Sequence, residues 1–421
     1  MRNIVLITFD SLRADHCGFM GYRRETTPTI DKMAKSGLNF KNAIVSGVPT
    51  PVSMVGTFTG DYSYIDPSSL ESKHWRREIA ARKTLPQVLG KKGYSTGAIH
   101  ENERASSYFG FDKGFEYYND FHYEGARAMV HDRLLIPLFK RFGFSQMMPD
   151  MIVGMGTSIR WENLYDFIID WVKRAKEPFF LWVLLLDTHI PYVPPMKFRR
   201  HSNFFKIYYY NWKIGQSIRT KAKADERWRK IIDPYDDAIR YADDFVDRLW
   251  EDIKGSDPLF ILHADHGDGF FEHGSYFHDI PFSLYEELIH VPLVIYNGDL
   301  KGKIEEPVSL LGLSPTILDL IGEENEFSSE SFLNGGSDYV ISKIFVEGRR
   351  KLSVRMKEWK FITGQKKEDE LYFLNNDPYE QENIINEHPD LYKEMIRIVE
   401  GHIKQEMELR RIRERISRLR V

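Results

Sequence analysis

The chain has 421 residues, 42 % of them hydrophobic, with 58 basic and 62 acidic side chains and a net charge of −4. This suffices for a large buried core over two or three domains, and the near balance of charge gives no global attraction to nucleic acid or an anionic membrane. Cys17 is the only cysteine, which excludes an internal disulfide and a Cys-rich zinc site.

The chain opens on IVLITF, Ile4 to Phe9, apolar on both faces as a strand buried in a sheet would be. No basic leader or cleavage site accompanies this run, so the expected location is cytoplasmic. Asp10 closes the strand, either capping the next segment or pointing into the crevice beyond the strand end, and Asp15 and His16 follow. A helix is predicted over Thr29 to Ser36. Residues 46–60, SGVPTPVSMVGTFTG, are rich in small, hydroxyl and glycine residues, as expected where backbone N–H groups and a hydroxyl approach an anion. Thr50 within it is a poor nucleophile until a divalent metal lowers its pKa.

A second helix is predicted over Leu85 to Lys92, and a third over Trp161 to Lys176, broken by Pro178. The strand FFLWVLLL, Phe179 to Leu186, leads to Asp187 and His189. It is the longest apolar run, far below the roughly 20 residues that a bilayer span of about 30 Å demands. Residues 196–234 mix aromatics and bases; they read as a surface insertion over the site mouth, with a nucleic-acid stacking platform as the other reading. A helix over Tyr235 to Ile253 precedes the strand LFILH, Leu259 to His263, which ends in Asp265-His266-Gly267. Such a triplet is by itself an ordinary turn, but Asp268, Glu272, His273, His278 and Asp279 follow within a dozen residues and make metal binding the better reading. The strand Val291 to Tyr296 comes next.

Strands alternating with helices indicate an α/β fold with a mainly parallel central sheet flanked by helices, its ligands gathering beyond the strand C-termini. After Gly322 the pattern changes: residues 339–374 alternate like a small antiparallel sheet, and a last helix from Asp390 carries arginines at 410, 411, 413, 415, 418 and 420. This basic tail suits a solvated helix or an oligomer contact, with polyanion binding as the alternative. The expected division is a catalytic domain over 1–325, with insertions near 120–160 and 196–234, an α+β subdomain over 326–400 and a helical tail over 401–421.

These segments together resemble the sulfatase family of the alkaline phosphatase superfamily, nearly end to end. NIVLITFDSLRADHCGFMGY with TTPTIDKMAKSGLNFKNA is similar to the family's first strand, metal-binding aspartate and first helix. TPVSMVGTFTG falls at the nucleophile segment, and TLPQVLGKKGYSTGAI and GFDKGFEYY at the connecting helix and strand. FFLWVLLLDTHIPYVPP resembles the strand ending in His and Pro-Tyr. HADHGDGFFEHG with LYEELIHVPLVIY resembles the second ligand segment and its strand, LSPTILDLIG the next helix, and WKFI with ELYFLNNDPYEQENI the C-terminal subdomain.

The resemblance implies that Asp10, Asp265 and His266 are metal ligands and that Thr50 is both ligand and nucleophile. It places His189 and His278 on the substrate as general acids or contacts, and Arg13 and His273 beside it, Arg13 being equally suited to a structural salt bridge. Sulfatases oxidise a Cys or Ser of a Cys/Ser-x-Pro-x-Arg motif to formylglycine. Here Thr50 is followed by Pro51, Val52, Ser53 and Met54, so no formylglycine is expected and the chain resembles the threonine-nucleophile phosphodiesterase and phosphotransferase branch. Ser11 stands where calcium sulfatases carry a second aspartate and His266 where some carry asparagine, which favours one Mn or Zn ion over Ca or Mg. Asp187, His189, His273 and His278 are candidates for a second metal. The expected activity is cleavage or transfer of an anionic phosphate-type ester (phosphodiester, phosphomonoester or phosphonate) on a small molecule or a glycan- or lipid-linked substrate. The alternatives are a sulfuric ester hydrolase acting without formylglycine, through Thr50, Ser53 or Cys17, and a non-catalytic anion- or glycan-binding protein.

Overall fold

The computed structural model describes residues 1–69, 72–121, 160–220, 223, 225–274, 276–278, 283–364 and 369–419. The 120–160 insertion therefore lies almost wholly outside the described residues, as do Asp279 and the arginine side chains of the tail.

Eight strands form the main sheet: β1 (Ile4–Phe9), β2 (Leu38–Ile44), β3 (Ser95–His100), β4 (Tyr117–Asn119), β5 (Phe179–Leu185), β6 (Leu259–Ala264), β7 (His290–Tyr296) and β8 (Gly302–Ser309). Their order across the sheet is β4-β3-β5-β1-β6-β7-β2-β8. The three most apolar runs, β5, β1 and β6, lie adjacent and parallel at its centre, because only there are both faces of a strand covered. Every residue of the three is buried. The expectation of a mainly parallel sheet holds with one local difference: β7 runs antiparallel to both β6 and β2. The helices fall where periodicity places them, at Pro28–Ser36, Leu85–Lys91, Trp161–Arg174 and Ile232–Ile253.

Buried polar groups at the centre are mutually satisfied. The Trp182 indole N–H donates to Thr8 Oγ1 at 3.0 Å, and Thr8 lies 2.9 Å from His263 Nε2. The His263 Nδ1 lies 3.0 Å from the Ala264 carbonyl, so it carries the proton and Nε2 accepts from Thr8. Burial holds the His263 imidazole near a pKa of about 4, neutral at physiological pH. Packing is equally tight at β3, where a Cβ on Gly97 would come within 2.4 Å of the Trp171 ring. Gly97→Ala is expected to lower stability by about 1–3 kcal/mol, read from urea unfolding; an unchanged midpoint would contradict this packing.

The second sheet is antiparallel, with β9 (Tyr339–Val346), β10 (Arg349–Met356), β11 (Trp359–Thr363) and β12 (Glu370–Phe373) in the order β12-β11-β10-β9. The helix Pro389–Leu419 follows it. This sheet is fastened by Lys360, fully buried, whose ammonium lies 2.9 Å from Glu286 Oε1 and 3.1 Å from Glu380 Oε1.

Candidate metal and nucleophile centre

In the parallel register, Phe9 of β1 sits opposite Leu185 of β5 and Ala264 of β6. The residues that leave these strands, Asp10, Asp187 to His189 and Asp265 to His266, therefore emerge at one edge. Ser11 takes a left-handed backbone (φ 67°) that turns the chain sharply after Asp10. In that turn its N–H donates to Asp265 Oδ1 at 3.2 Å and its hydroxyl to Asp10 Oδ1 at 2.9 Å. Gly267 is required by close approach, since a Cβ there would lie 2.0 Å from the Glu287 carbonyl oxygen.

The segment 46–60 supplies the third side. Pro49 precedes the helix Thr50–Thr59, all ten of whose residues are buried. Thr50 is its first residue, so its hydroxyl stands at the positive end of the helix dipole. That hydroxyl lies 3.2 Å from His266 Nε2. The His266 Nδ1 lies 2.9 Å from the Gly267 carbonyl and must carry the ring proton, which leaves the Nε2 lone pair facing Thr50 and the carboxylates.

Ligand atoms of Asp10, Asp265 and His266 all lie within 4.8 Å of one another, and all three residues are buried. Burial, reinforced by the charge of Asp265, pushes the Asp10 carboxyl up to about 6. Burial likewise pushes Asp265 up to about 7, against its hydrogen bonds. Asp265 Oδ2 is buried and no donor meets it with hydrogen-bond geometry. Two desolvated carboxylates side by side, one with an unpartnered oxygen, together with an oriented imidazole lone pair, form a donor set that fits a divalent cation. Among the described residues no other cluster of three such groups occurs.

Around this cluster lie residues of uneven legibility. His189 places Nδ1 2.6 Å from the Ile190 carbonyl, and its ring centroid is 5.5 Å from that of His278. Burial lowers its basicity, but Asp10 and Asp268 outweigh this and raise its pKa. His278 lies 4.0 Å from His266, ring to ring, with Nδ1 2.5 Å from Asp268 Oδ1. Tyr192 donates to the other oxygen of Asp268 at 2.5 Å. Asn102, two residues past β3, donates to Asp10 Oδ2 at 2.6 Å. Neither Asn102 nor Tyr192 was predicted; their signal is position beyond strand ends at the same edge. Asn102→Ala is expected to weaken metal affinity about 10- to 100-fold by freeing the candidate ligand Asp10, measured by titration of metal-depleted protein. Affinity equal to wild type would remove Asn102 from the site.

Three candidates stand apart. The Arg13 guanidinium is buried and fully engaged by Asp15 at 2.7 Å, Glu272 at 2.7 Å and the Asp268 carbonyl at 3.0 Å. His273 has Nδ1 2.7 Å from Glu287 and Nε2 3.0 Å from the Glu380 carbonyl. It ties the Asp-His loop to the chain beyond β12. Asp187 is raised to about 8 by burial and by the neighbouring Glu162, on the side of the helix Trp161–Arg174. Neither His273 nor Asp187 joins a second group of metal-ligating side chains among the described residues.

The family model described as Sulfatase matches residues 2–323. The N-acetylgalactosamine-6-O-sulfatase of Bacteroides thetaiotaomicron is 22% identical over 95% of this chain and 92% of its own. The arylsulfatase of Clostridium perfringens is 26% identical, over 96% of this chain and 94% of its own. Among solved structures, the phosphonate monoester hydrolase of Agrobacterium radiobacter superposes with a TM-score of 0.70 at 18% identity, covering 97% of this chain and 95% of that one. No helix among the described residues is long and apolar enough to cross a membrane.

Proposed function

This chain belongs to the sulfatase family, and from that premise we propose that it is a metal-dependent hydrolase in which Thr50 attacks an anionic phosphate-type ester. As a family member it is a hydrolase of sulfate or phosphate esters with an alkaline phosphatase-like fold. The reading of a non-catalytic binding protein is set aside on that ground. One observation carries the finer proposal: the Thr50 hydroxyl, on a helix N-terminus, stands 3.2 Å from His266 Nε2 within the Asp10–Asp265–His266 cluster.

Enzymes of this family use a metal ion, and Asp10, Asp265 and His266 would hold it here with Thr50 beside them. Bound there, a divalent cation supplies Lewis acidity that lowers the threonine pKa and polarises the ester. One imidazole among oxygen donors favours Mn or Zn. The chain's own groups account for the rest. Thr50 Oγ, its proton already released to solvent, forms a bond to phosphorus while the bond from phosphorus to the leaving oxygen breaks in line. His189, whose pKa is raised, donates its Nε2 proton to that oxygen. Water then attacks the phosphothreonine ester, the bond from phosphorus to Thr50 Oγ breaks and returns the threonine oxygen as its anion, and the water proton passes to neutral His189 or to His278, which Asp268 orients at 2.5 Å. Threonine also argues for an unmodified nucleophile, because oxidation of its secondary alcohol gives a ketone and not an aldehyde.

A second reading is hydrolysis of a sulfate ester by the same threonine, favoured by the curated relatives, which are named as sulfatases. The substrate in either case is a small-molecule, glycan-linked or lipid-linked anionic ester. Metal-loaded protein assayed against aryl sulfate, aryl phosphate, a phosphodiester and a phosphonate separates the two. Faster turnover of the phosphorus esters is expected; faster turnover of aryl sulfate would hand the proposal to the second reading.

A further inference from the structure

The helix Phe204–Thr220 has apolar character on both sides. Ile207, Asn211 and Ile214 form its buried face. On the opposite face, at helical spacing, stand Phe205, Tyr209, Trp212 and Lys213. Phe205 is 79% exposed and Tyr209 44%, and Met196, earlier in the same segment, is 80% exposed. Tyr208 and Trp212 stack at 6.5 Å with an interplanar angle of 4°, and the Lys213 ammonium lies 5.0 Å from the Trp212 ring. A surface helix ordinarily turns charged residues to water. The composition of the segment is one-sided: residues 196–234 contain eleven lysines and arginines against three carboxylates, in a chain whose net charge is −4, with Arg200, Lys206 and Arg227 paired to Glu25, Asp233 and Asp225.

We propose that this aromatic, basic face docks on an anionic lipid bilayer surface. Partial insertion of Phe205, Met196 and Tyr209 at the headgroup level would bury apolar area that water now covers, while the surrounding cations meet anionic headgroups. A sugar polyanion would find no hydrogen-bonding group on Phe205 or Met196. The helix is also coupled, through its buried face, to the catalytic edge. Asn211 exchanges two hydrogen bonds with the Tyr192 backbone, at 2.9 and 3.0 Å, and Tyr192 holds Asp268. Trp228, in the same segment, stacks on Tyr276 at 6.2 Å, two residues before His278.

The test is co-sedimentation of the full chain with vesicles of phosphatidylcholine alone and of phosphatidylcholine mixed equally with phosphatidylglycerol. Binding to the mixed vesicles only, weakened by salt, is expected. Phe205→Glu and Tyr209→Ser, both at exposed positions, are each expected to weaken binding about tenfold at an unchanged melting temperature. No sedimentation with the anionic vesicles, or binding untouched by both substitutions, would overturn the proposal. So would a wild-type dimer that Phe205→Glu converts to monomer in sedimentation velocity, since the face would then be covered by a second copy. None of these readouts depends on the ester the site cleaves.

Discussion

Thr50→Ala is expected to lower kcat about 10⁴-fold or more on every ester the protein turns over, while the chain stays folded. The size follows from the geometry. The hydroxyl stands at the N-terminus of the helix Thr50–Thr59, against the Asp10–Asp265–His266 cluster and 3.2 Å from His266 Nε2. Removing it abolishes the bond-forming atom. The structural cost is small, because Thr50 gives up only its contacts to His266 and to the Asp265 carboxylate, worth about 1 kcal/mol each, and the alanine methyl occupies the same buried space. Thr50→Ser keeps an oxygen in place and should retain measurable turnover. Steady-state rates on metal-loaded protein check both, with circular dichroism as the control for folding. Near-normal turnover by Thr50→Ala would exclude Thr50 as nucleophile.

The second large effect is expected from Asp265→Asn, which should reduce bound metal below stoichiometry and activity by at least about 100-fold. Its effect on stability separates a metal site from a structural cluster. Without metal, Asp10 and Asp265 are desolvated like charges whose folded pKa values, about 6 and about 7, stand above the ordinary carboxylate value. A raised carboxylate pKa means that folding favours the protonated form, so these two groups lose stability as pH rises through about 6 to 7. Metal-free Asp265→Asn should therefore melt no lower than metal-free wild type at neutral pH. Added metal should raise the wild-type melting temperature, increasingly as pH rises through that window, because the ligands must be deprotonated to bind. The variant should show little shift. Comparing metal-loaded with metal-free protein at each pH cancels the opposing contribution of buried histidines such as His263. A variant that gains as much stability from metal as wild type would remove Asp265 from the ligand set.

The parts of this protein that sequence made legible are those whose physics is local or saturating. Short runs apolar on both faces, as in β1, β5 and β6, suit central strands, and their ends at Asp10, His189, Asp265 and His266 follow from the register. The weaker strands were harder. β2 (LNFKNAI) mixes half-buried with buried positions and β8 (GKIEEPVS) exposed with buried ones, and β3 contains Gly97, kept small by Trp171. The direction of β7 was not legible, because a buried strand reads alike in either orientation. TPVSMVGTFTG does not read as a helix either, since β-branched residues and glycine oppose one; its complete burial overrides that preference. Arg13 and His273 show the converse. Their residue types suit an anion site, yet long-range partners such as Glu272 and Glu287 absorb them, and no local pattern announces that.

The central claim is that the Thr50 oxygen becomes covalently bonded to the group being transferred. The direct measurement is peptide mass spectrometry after acid quench of metal-loaded protein mixed with its best aryl ester. The account predicts a phosphoryl adduct, or a sulfuryl adduct under the second reading, on the peptide bearing Thr50 and absent from Thr50→Ala. An adduct on Ser53 or on a histidine, or single-step inversion at a chiral phosphorus with no adduct at any quench time, would contradict it.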